Sequence, residues 1–239
     1  MNGFAVAEGT SPARVTLAWG VHLLTASGAL FGALALLAIA SDDLPRAALF
    51  MLVALAIDSI DGSLARAARV REVLPGFDGR RLDDIVDYLN YVIVPAVFLV
   101  GAGSLLASGF AAFPILASAY GFSQTDAKTD DDFFLGFPSY WNVVALYLWL
   151  LAVDARVGTT LVVVLSAAVF VPLKYLYPSK MPVLRRTTNA VAALWLLLLA
   201  GAVLQPARLG TAAVWASLAF PAYYLALSFW LGNRAGRTP

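Results

Sequence analysis

Long apolar runs separated by short polar connections follow one another along the chain. A membrane-spanning helix needs about 20 mostly apolar residues, and stretches of this kind recur almost to the C-terminus. Each run predicts one spanning helix, and the short connections leave no room for a separate soluble domain. We place eight spans at residues 15–40, 46–67, 82–101, 104–122, 139–153, 157–177, 188–204 and 210–231.

This pattern predicts an all-α integral membrane protein, with about eight transmembrane helices in one bundle. The membrane domain covers residues 15–231, between a cytoplasmic N-terminal segment, 1–14, and a cytoplasmic C-terminal tail, 232–239. Composition agrees, because 61% of the residues are hydrophobic and only 13% are charged, whereas soluble domains carry about 25% charged residues. The chain contains no cysteine, which excludes thiolate metal sites and thiol nucleophiles.

The positive charges give the orientation. If both termini are cytoplasmic, thirteen of the sixteen Lys and Arg residues lie on the cytoplasmic side, and only Arg46, Arg156 and Arg208 lie on the other. Loops that carry Lys and Arg stay in the cytoplasm during membrane insertion. We therefore expect a multi-pass protein with both termini in the cytoplasm and an even number of spans.

Five aspartates lie inside predicted spans, where ionised side chains are costly and usually functional, and four of them form two pairs. Asp58 and Asp61 belong to the second span, and Asp83 and Asp87 belong to the third. A helix advances about 100° per residue, so each pair shares one helix face. Asp84 points away from Asp83 and Asp87, and we expect it to be structural rather than a ligand.

Four carboxylates facing one another require cations. Carboxylate oxygens select Mg²⁺ or Mn²⁺ over metals that prefer thiolates, and two divalent ions would neutralise the four charges. A pair of such ions, about 3.5–4 Å apart, stabilises the attacking and leaving oxygens of a phosphoryl displacement. The sequence therefore predicts a two-metal site for phosphoryl transfer, close to the cytoplasmic surface.

Other residues near these carboxylates suggest a substrate site. Gly62 and Ala65 lie on the same helix face and are small enough to let a nucleotide approach the backbone, while Arg66 at the rim offers a positive charge to a phosphate. Two other interpretations stay open at this point. The carboxylates could form hydrogen bonds or ion pairs between helices, or they could belong to an ion-coupled transporter, although the chain shows neither the repeated halves nor the broken helices typical of transporters.

The string DSIDGSLARAARVREVLPGFDGRRLDDIVD, residues 58–87, resembles the signature of the CDP-alcohol phosphatidyltransferase family, DxxDGxxAR followed by GxxxDxxxD. Every fixed position of that signature is present. The departure is the gap of twelve residues between Arg66 and Gly79, which is longer than is common in the family. The gap lies in a predicted loop, so the faces that carry the carboxylates are unaffected.

The longer gap is similar to that of the bacterial phosphatidylcholine synthase branch, as are HLLTASG at 22–28, LDDIVDYLNYVIVPA at 82–96 and KTDDDFFLGFPSYWN at 128–142. This resemblance implies transfer of a phosphatidyl group from CDP-diacylglycerol to choline, giving phosphatidylcholine and CMP, in the bacterial inner membrane. It also implies that Asp87 is the general base, and a homodimer is expected on the resemblance alone. No nucleic acid partner is expected.

The acceptor alcohol is the open point of the resemblance. Serine, inositol or glycerol phosphate would serve in other branches, and a CDP-choline donor with a diacylglycerol acceptor is a further alternative. A quaternary ammonium is held by aromatic faces, so Tyr88 and Trp141 are our candidates for contact with choline. The competing explanation is that Tyr and Trp are enriched at membrane interfaces in any case.

Overall fold

The fold is seen in a computed structural model that describes residues 5–124, 133–176 and 184–235. The first four and last four residues, and the acidic part of the 128–142 string, lie outside the described residues. The helices are α1 Pro12–Ala40, α2 Leu44–Ala67, α3 Val70–Val73, α4 Gly79–Tyr88, α5 Val94–Gly101, α6 Ala112–Ser123, α7 Trp141–Leu150, α8 Ala155–Ala168, α9 Arg185–Leu204, α10 Pro206–Ser217 and α11 Ala219–Ala235. A π-helix, Leu89–Ile93, joins α4 to α5, and a 3₁₀ turn, Ser108–Ala111, precedes α6.

Five helical stretches in the described part of the chain are long and apolar enough to cross a membrane. They are Pro12–Ala40, Leu44–Ala67, Gly79–Gly101, Arg186–Leu204 and Arg208–Gly232. Their boundaries lie close to those of the corresponding predicted spans. The prediction of an all-α, multi-pass membrane protein is confirmed.

The number of eight spans is not confirmed, because the three remaining predicted spans coincide with shorter helices. Helices α6, α7 and α8 have 12, 10 and 14 residues, or about 15–21 Å at 1.5 Å per residue. A bilayer core is about 30 Å thick. Helix α7 is apolar because protein surrounds it, and its Trp141 and Ala145 are fully buried.

The helix in the predicted span 157–177 ends before the C-terminal end of that span. Helix α8 ends at Ala168, and Pro172 follows shortly afterwards, as is usual beyond a helix C-terminus. The chain then forms a short antiparallel ribbon in which β2, Lys174–Leu176, pairs with β1, Phe133–Leu135. Helix α11 packs against this ribbon.

The gap between the two halves of the signature folds against α1. It contains the one-turn helix α3, and its buried Val70, Val73 and Leu74 cluster with Ala18 and Val21 of α1. Burial of these apolar side chains anchors the gap to α1. The extra residues of the gap therefore form a packed connection between α2 and α4.

This packed connection fixes where α4 begins. The Asp78 carboxylate caps the helix by accepting a hydrogen bond from the Arg81 backbone N–H at 3.0 Å. Gly79 lies directly against the imidazole of His22, since a Cβ built on Gly79 would come within 2.6 Å of His22 Cε1. Glycine at this motif position allows α4 to start in contact with α1.

Candidate metal centre

Three carboxylates from two helices converge at one point. Asp58 of α2 and Asp83 and Asp87 of α4 each offer one carboxylate oxygen, and these oxygens all lie within 4.8 Å of one another. All three side chains are half-buried. Three negative charges this close repel one another in a medium of low dielectric constant. The donor set, which consists of hard oxygen atoms, fits a divalent cation such as Mg²⁺ or Mn²⁺.

A narrow cavity surrounds this cluster and contains the fourth predicted carboxylate. Asp61 lines the cavity and is only 4% exposed, although it is not one of the three carboxylates that converge within 4.8 Å. Asp84 does not line the cavity. Within the part of the chain that the structure describes, the residues that line the cavity include neither Lys nor Arg.

Helix α1 closes the cavity, which the sequence did not lead us to expect. Thr25 and Gly28 of α1 line it beside Asp61. Asn90, at the start of the π-helix, donates from Nδ2 to the backbone carbonyl of Gly28 at 3.0 Å. A Cβ on Gly28 would approach Val86 Cγ1 to 2.8 Å, so a larger residue here would force Val86 or the helices to shift. Helices α1, α2 and α4 therefore build the site together with the π-helix.

Tyr91 is the second residue of the π-helix to line the cavity. Its phenolic oxygen donates a hydrogen bond to Oδ2 of Asp58. The sequence contained a signal for this placement, because Asp83, Asp87 and Tyr91 are spaced by four residues and share one helix face.

The remaining predicted substrate residues on α2 lie beyond the cavity. Gly62 and Ala65 are half-buried, and Arg66 is exposed, with Nη2 donating to Ser63 Oγ at 3.0 Å. None of the three lines the cavity. They occupy the turns of α2 that follow Asp61, and their contact with a nucleotide stays a prediction.

Tyr88 and Trp141, the residues predicted to contact choline, lie outside the lining of the cavity. Tyr88 donates its hydroxyl to the backbone carbonyl of Ile115 in α6 at 3.0 Å, and its ring packs against Phe122. Trp141 is fully buried, and its Nε1 donates to Ser118 Oγ at 2.8 Å. Neither residue lines the cavity around the carboxylates, so their contact with choline also stays a prediction.

The fold and the site together define a class: a multi-pass helical membrane protein with a cluster of carboxylates suited to divalent cations. No family model matches the chain. Curated relatives do match it. A phosphatidylcholine synthase from Pseudomonas aeruginosa is 37% identical over 236 residues, which cover 94% of this chain and 95% of that protein.

Two further relatives carry the same name. A phosphatidylcholine synthase from Agrobacterium fabrum is 36% identical, covering 86% of this chain and 85% of its own length. One from Legionella pneumophila is 44% identical, but the match covers 69% of this chain and 66%, just under two thirds, of that protein. The chain belongs to the phosphatidylcholine synthase family. Its resemblance to the CDP-alcohol phosphatidyltransferase enzymes is thereby confirmed, and an ion-coupled transporter is disfavoured.

Proposed function

We propose that this protein transfers the phosphatidyl group of CDP-diacylglycerol to choline, producing phosphatidylcholine and CMP. The observation that carries the proposal is the convergence of Asp58, Asp83 and Asp87 in a chain of this family. Phosphoryl transfer depends mainly on positioning and on stabilisation of charge. A carboxylate cluster that binds divalent cations provides both.

In this proposal Asp58, Asp61, Asp83 and Asp87 hold two divalent cations, Mg²⁺ or Mn²⁺. The support is the donor set that Asp58, Asp83 and Asp87 form, with Asp61 in the same cavity. When bound, such ions supply positive charge for the pyrophosphate of the donor and for the departing CMP. Gly62 and Ala65 leave space for the nucleotide along α2, and the exposed guanidinium of Arg66 attracts one of its phosphates.

Asp87 is the general base of the proposed reaction. Its carboxylate accepts the proton of the choline hydroxyl as the choline oxygen attacks the phosphorus that carries the diacylglycerol. The bond from that phosphorus to the bridging oxygen breaks, and CMP leaves with the bonding electrons. A base must lie within hydrogen-bond reach of the proton that it removes. A choline hydroxyl that enters the cavity would meet this condition.

The setting of the reaction is the bacterial inner membrane, with both termini and the mouth of the cavity facing the cytoplasm. Residues 15–231 act as one membrane domain embedded in lipid. Water-soluble choline and CMP exchange with the cytoplasm, whereas the two lipids enter and leave within the bilayer. Tyr88 and Trp141 are proposed contacts of choline, and a homodimer is the proposed assembly.

The test is an assay of the purified protein with CDP-diacylglycerol, Mn²⁺ or Mg²⁺, and one acceptor at a time. Choline should release CMP and form phosphatidylcholine, whereas serine, inositol and glycerol phosphate should not. Excess EDTA should stop the reaction, and added Mn²⁺ or Mg²⁺ should restore it. Release of CMP with serine but not with choline would contradict the proposed acceptor. Full activity in EDTA would contradict the role of the cations.

A further inference from the structure

Tyr91 holds one of the clustered carboxylates in a fixed orientation. Its phenol donates to Asp58 Oδ2, and the residue is only 7% exposed. A carboxylate has two oxygens and rotates about its terminal bond unless a neighbour fixes it. The donated proton engages Oδ2 of Asp58 and restricts this rotation.

The local backbone explains how Tyr91 reaches this position. The segment Leu89–Ile93 is a π-helix, closed by a hydrogen bond from the Val94 N–H to the Leu89 carbonyl. Pro95 follows, and a proline ring in an α-helix collides with the carbonyl four residues earlier, here that of Tyr91. The wider π turn relieves this collision. Such turns are frequent at functional sites.

Further tyrosine rings pack next to Tyr91. The ring of Tyr140 lies 6.1 Å from that of Tyr91, and the ring of Tyr224 lies 5.8 Å from that of Tyr140, both measured between centroids. The hydroxyl of Tyr224 donates to the Leu176 carbonyl of β2 at 2.8 Å. These rings, which we call the tyrosine column, connect the carboxylate cluster to α11 and the β-ribbon.

We infer that Tyr91 is a positioning residue of the metal centre, and that its hydroxyl orients Asp58 for cation binding. The inference rests on the proposed function, because it requires that the carboxylates bind Mg²⁺ or Mn²⁺. Hydrogen bonds to the ligands of a metal typically account for 10–100-fold in metal affinity. Tyr91→Phe retains the ring, and hence the packing on Tyr140, and removes only the hydroxyl.

The decisive measurement is Mn²⁺ binding to the purified protein without substrates, followed by electron paramagnetic resonance or calorimetry. Tyr91→Phe should weaken Mn²⁺ binding by about 10–100-fold relative to the wild type. The kinetic signature is distinct as well. The Mn²⁺ concentration for half-maximal CMP release should rise, while the rate at saturating Mn²⁺ should return towards that of the wild type.

Tyr147→Phe is the matched control. Tyr147 is another buried tyrosine whose hydroxyl is hydrogen-bonded, to Ser217 at 2.7 Å and to Trp195 at 2.8 Å, but it does not line the cavity. Loss of its hydroxyl should lower the melting temperature and leave the affinity for Mn²⁺ unchanged. The comparison thus separates orientation of Asp58 from a general loss of stability.

The outcomes are distinguishable. Wild-type affinity for Mn²⁺ in Tyr91→Phe would overturn this inference and leave the proposed function intact. Absence of Mn²⁺ binding by the wild-type protein would overturn the inference and the proposed metal centre together. Assays in isolated membranes, with CMP release followed against Mn²⁺ concentration, give the same comparison if the variant does not survive purification.

Discussion

Asp87 is the residue on which most of the proposed chemistry depends. It is one of the three converging carboxylates, and it is also the proposed base. Asp87→Asn keeps the size of the side chain and removes its charge and its ability to accept a proton as a base. Since general bases contribute about 10²–10⁴-fold, CMP release should fall by at least about 100-fold, while circular dichroism and size-exclusion elution should stay those of the wild type.

The control for this variant lies on the same helix. Asp84→Asn makes the same chemical change at a half-buried aspartate that does not line the cavity, so most of the CMP release should remain. Near-normal turnover in Asp87→Asn would contradict the role proposed for Asp87. An equal loss in both variants would indicate a general effect of charge on α4.

At the scale of single residues, the sequence pointed to the clustered aspartates, because a charged side chain inside a membrane span is costly. It did not point to Tyr91, because tyrosines are common in membrane proteins. Carboxylates inside a membrane span need a partner, and helical periodicity then placed Asp58, Asp83 and Asp87 on facing surfaces. Tyrosine is enriched at membrane interfaces. Residue type and predicted depth in the membrane therefore could not distinguish Tyr91, which lines the cavity, from Tyr88, which packs against α6. Only the spacing of four residues from Asp87 distinguishes Tyr91.

At the scale of elements, α1 packs closely against the first residues of the π-helix, Leu89 and Asn90. A Cβ built on Gly32 of α1 would lie 2.5 Å from Asn90 Oδ1 and 3.1 Å from Leu89 Cδ2. Asn90 has little freedom to withdraw, because it is buried and bonded to the Gly28 carbonyl. Gly32→Ala should therefore lower stability by about 1–3 kcal/mol, the usual cost of overpacking, measured by thermal unfolding in detergent.

Gly20→Ala provides the comparison within the same helix. Gly20 is exposed, and a Cβ there would meet nothing within 4 Å. Because alanine favours a helix over glycine by up to about 1 kcal/mol, this variant should be as stable as the wild type or more so. Equal stability of Gly32→Ala and Gly20→Ala would show that the contact between α1 and the π-helix tolerates a methyl group.

Hydropathy located the long helices well but could not separate a lipid-facing helix from one buried in protein. Leu44–Ala67 and Gly79–Gly101 are apolar and long enough to cross a membrane, whereas α7 is apolar because protein buries it. The hydropathy of a run of apolar residues is the same for a membrane-spanning helix and for a helix buried in protein. The length of 10 residues in α7 is the feature that separates them.

For the whole molecule, the short helices α6, α7 and α8 determine the topology. If they carry the chain across the membrane an odd number of times, α9 starts in the cytoplasm and its end at Leu204 lies outside. If only the five long stretches cross, α9 runs the other way, and the C-terminus faces outward. The distribution of Lys and Arg favours the first arrangement, since three crossings by α6, α7 and α8 leave only Arg46, Arg156 and Arg208 outside.

Because the chain contains no cysteine, single cysteines report this topology without background. Ser41, Arg71 and Gln205 are exposed positions in the connections after α1, in α3 and after α9. In intact spheroplasts, a membrane-impermeant maleimide should label Ser41→Cys and Gln205→Cys, and it should label Arg71→Cys only after permeabilisation. Arg71 and Ser41 serve as the internal references for the two sides, since both arrangements place them alike. Labelling of Gln205→Cys only after permeabilisation would establish an odd total number of crossings, as when only the five long stretches cross, and would contradict the proposed cytoplasmic location of both termini.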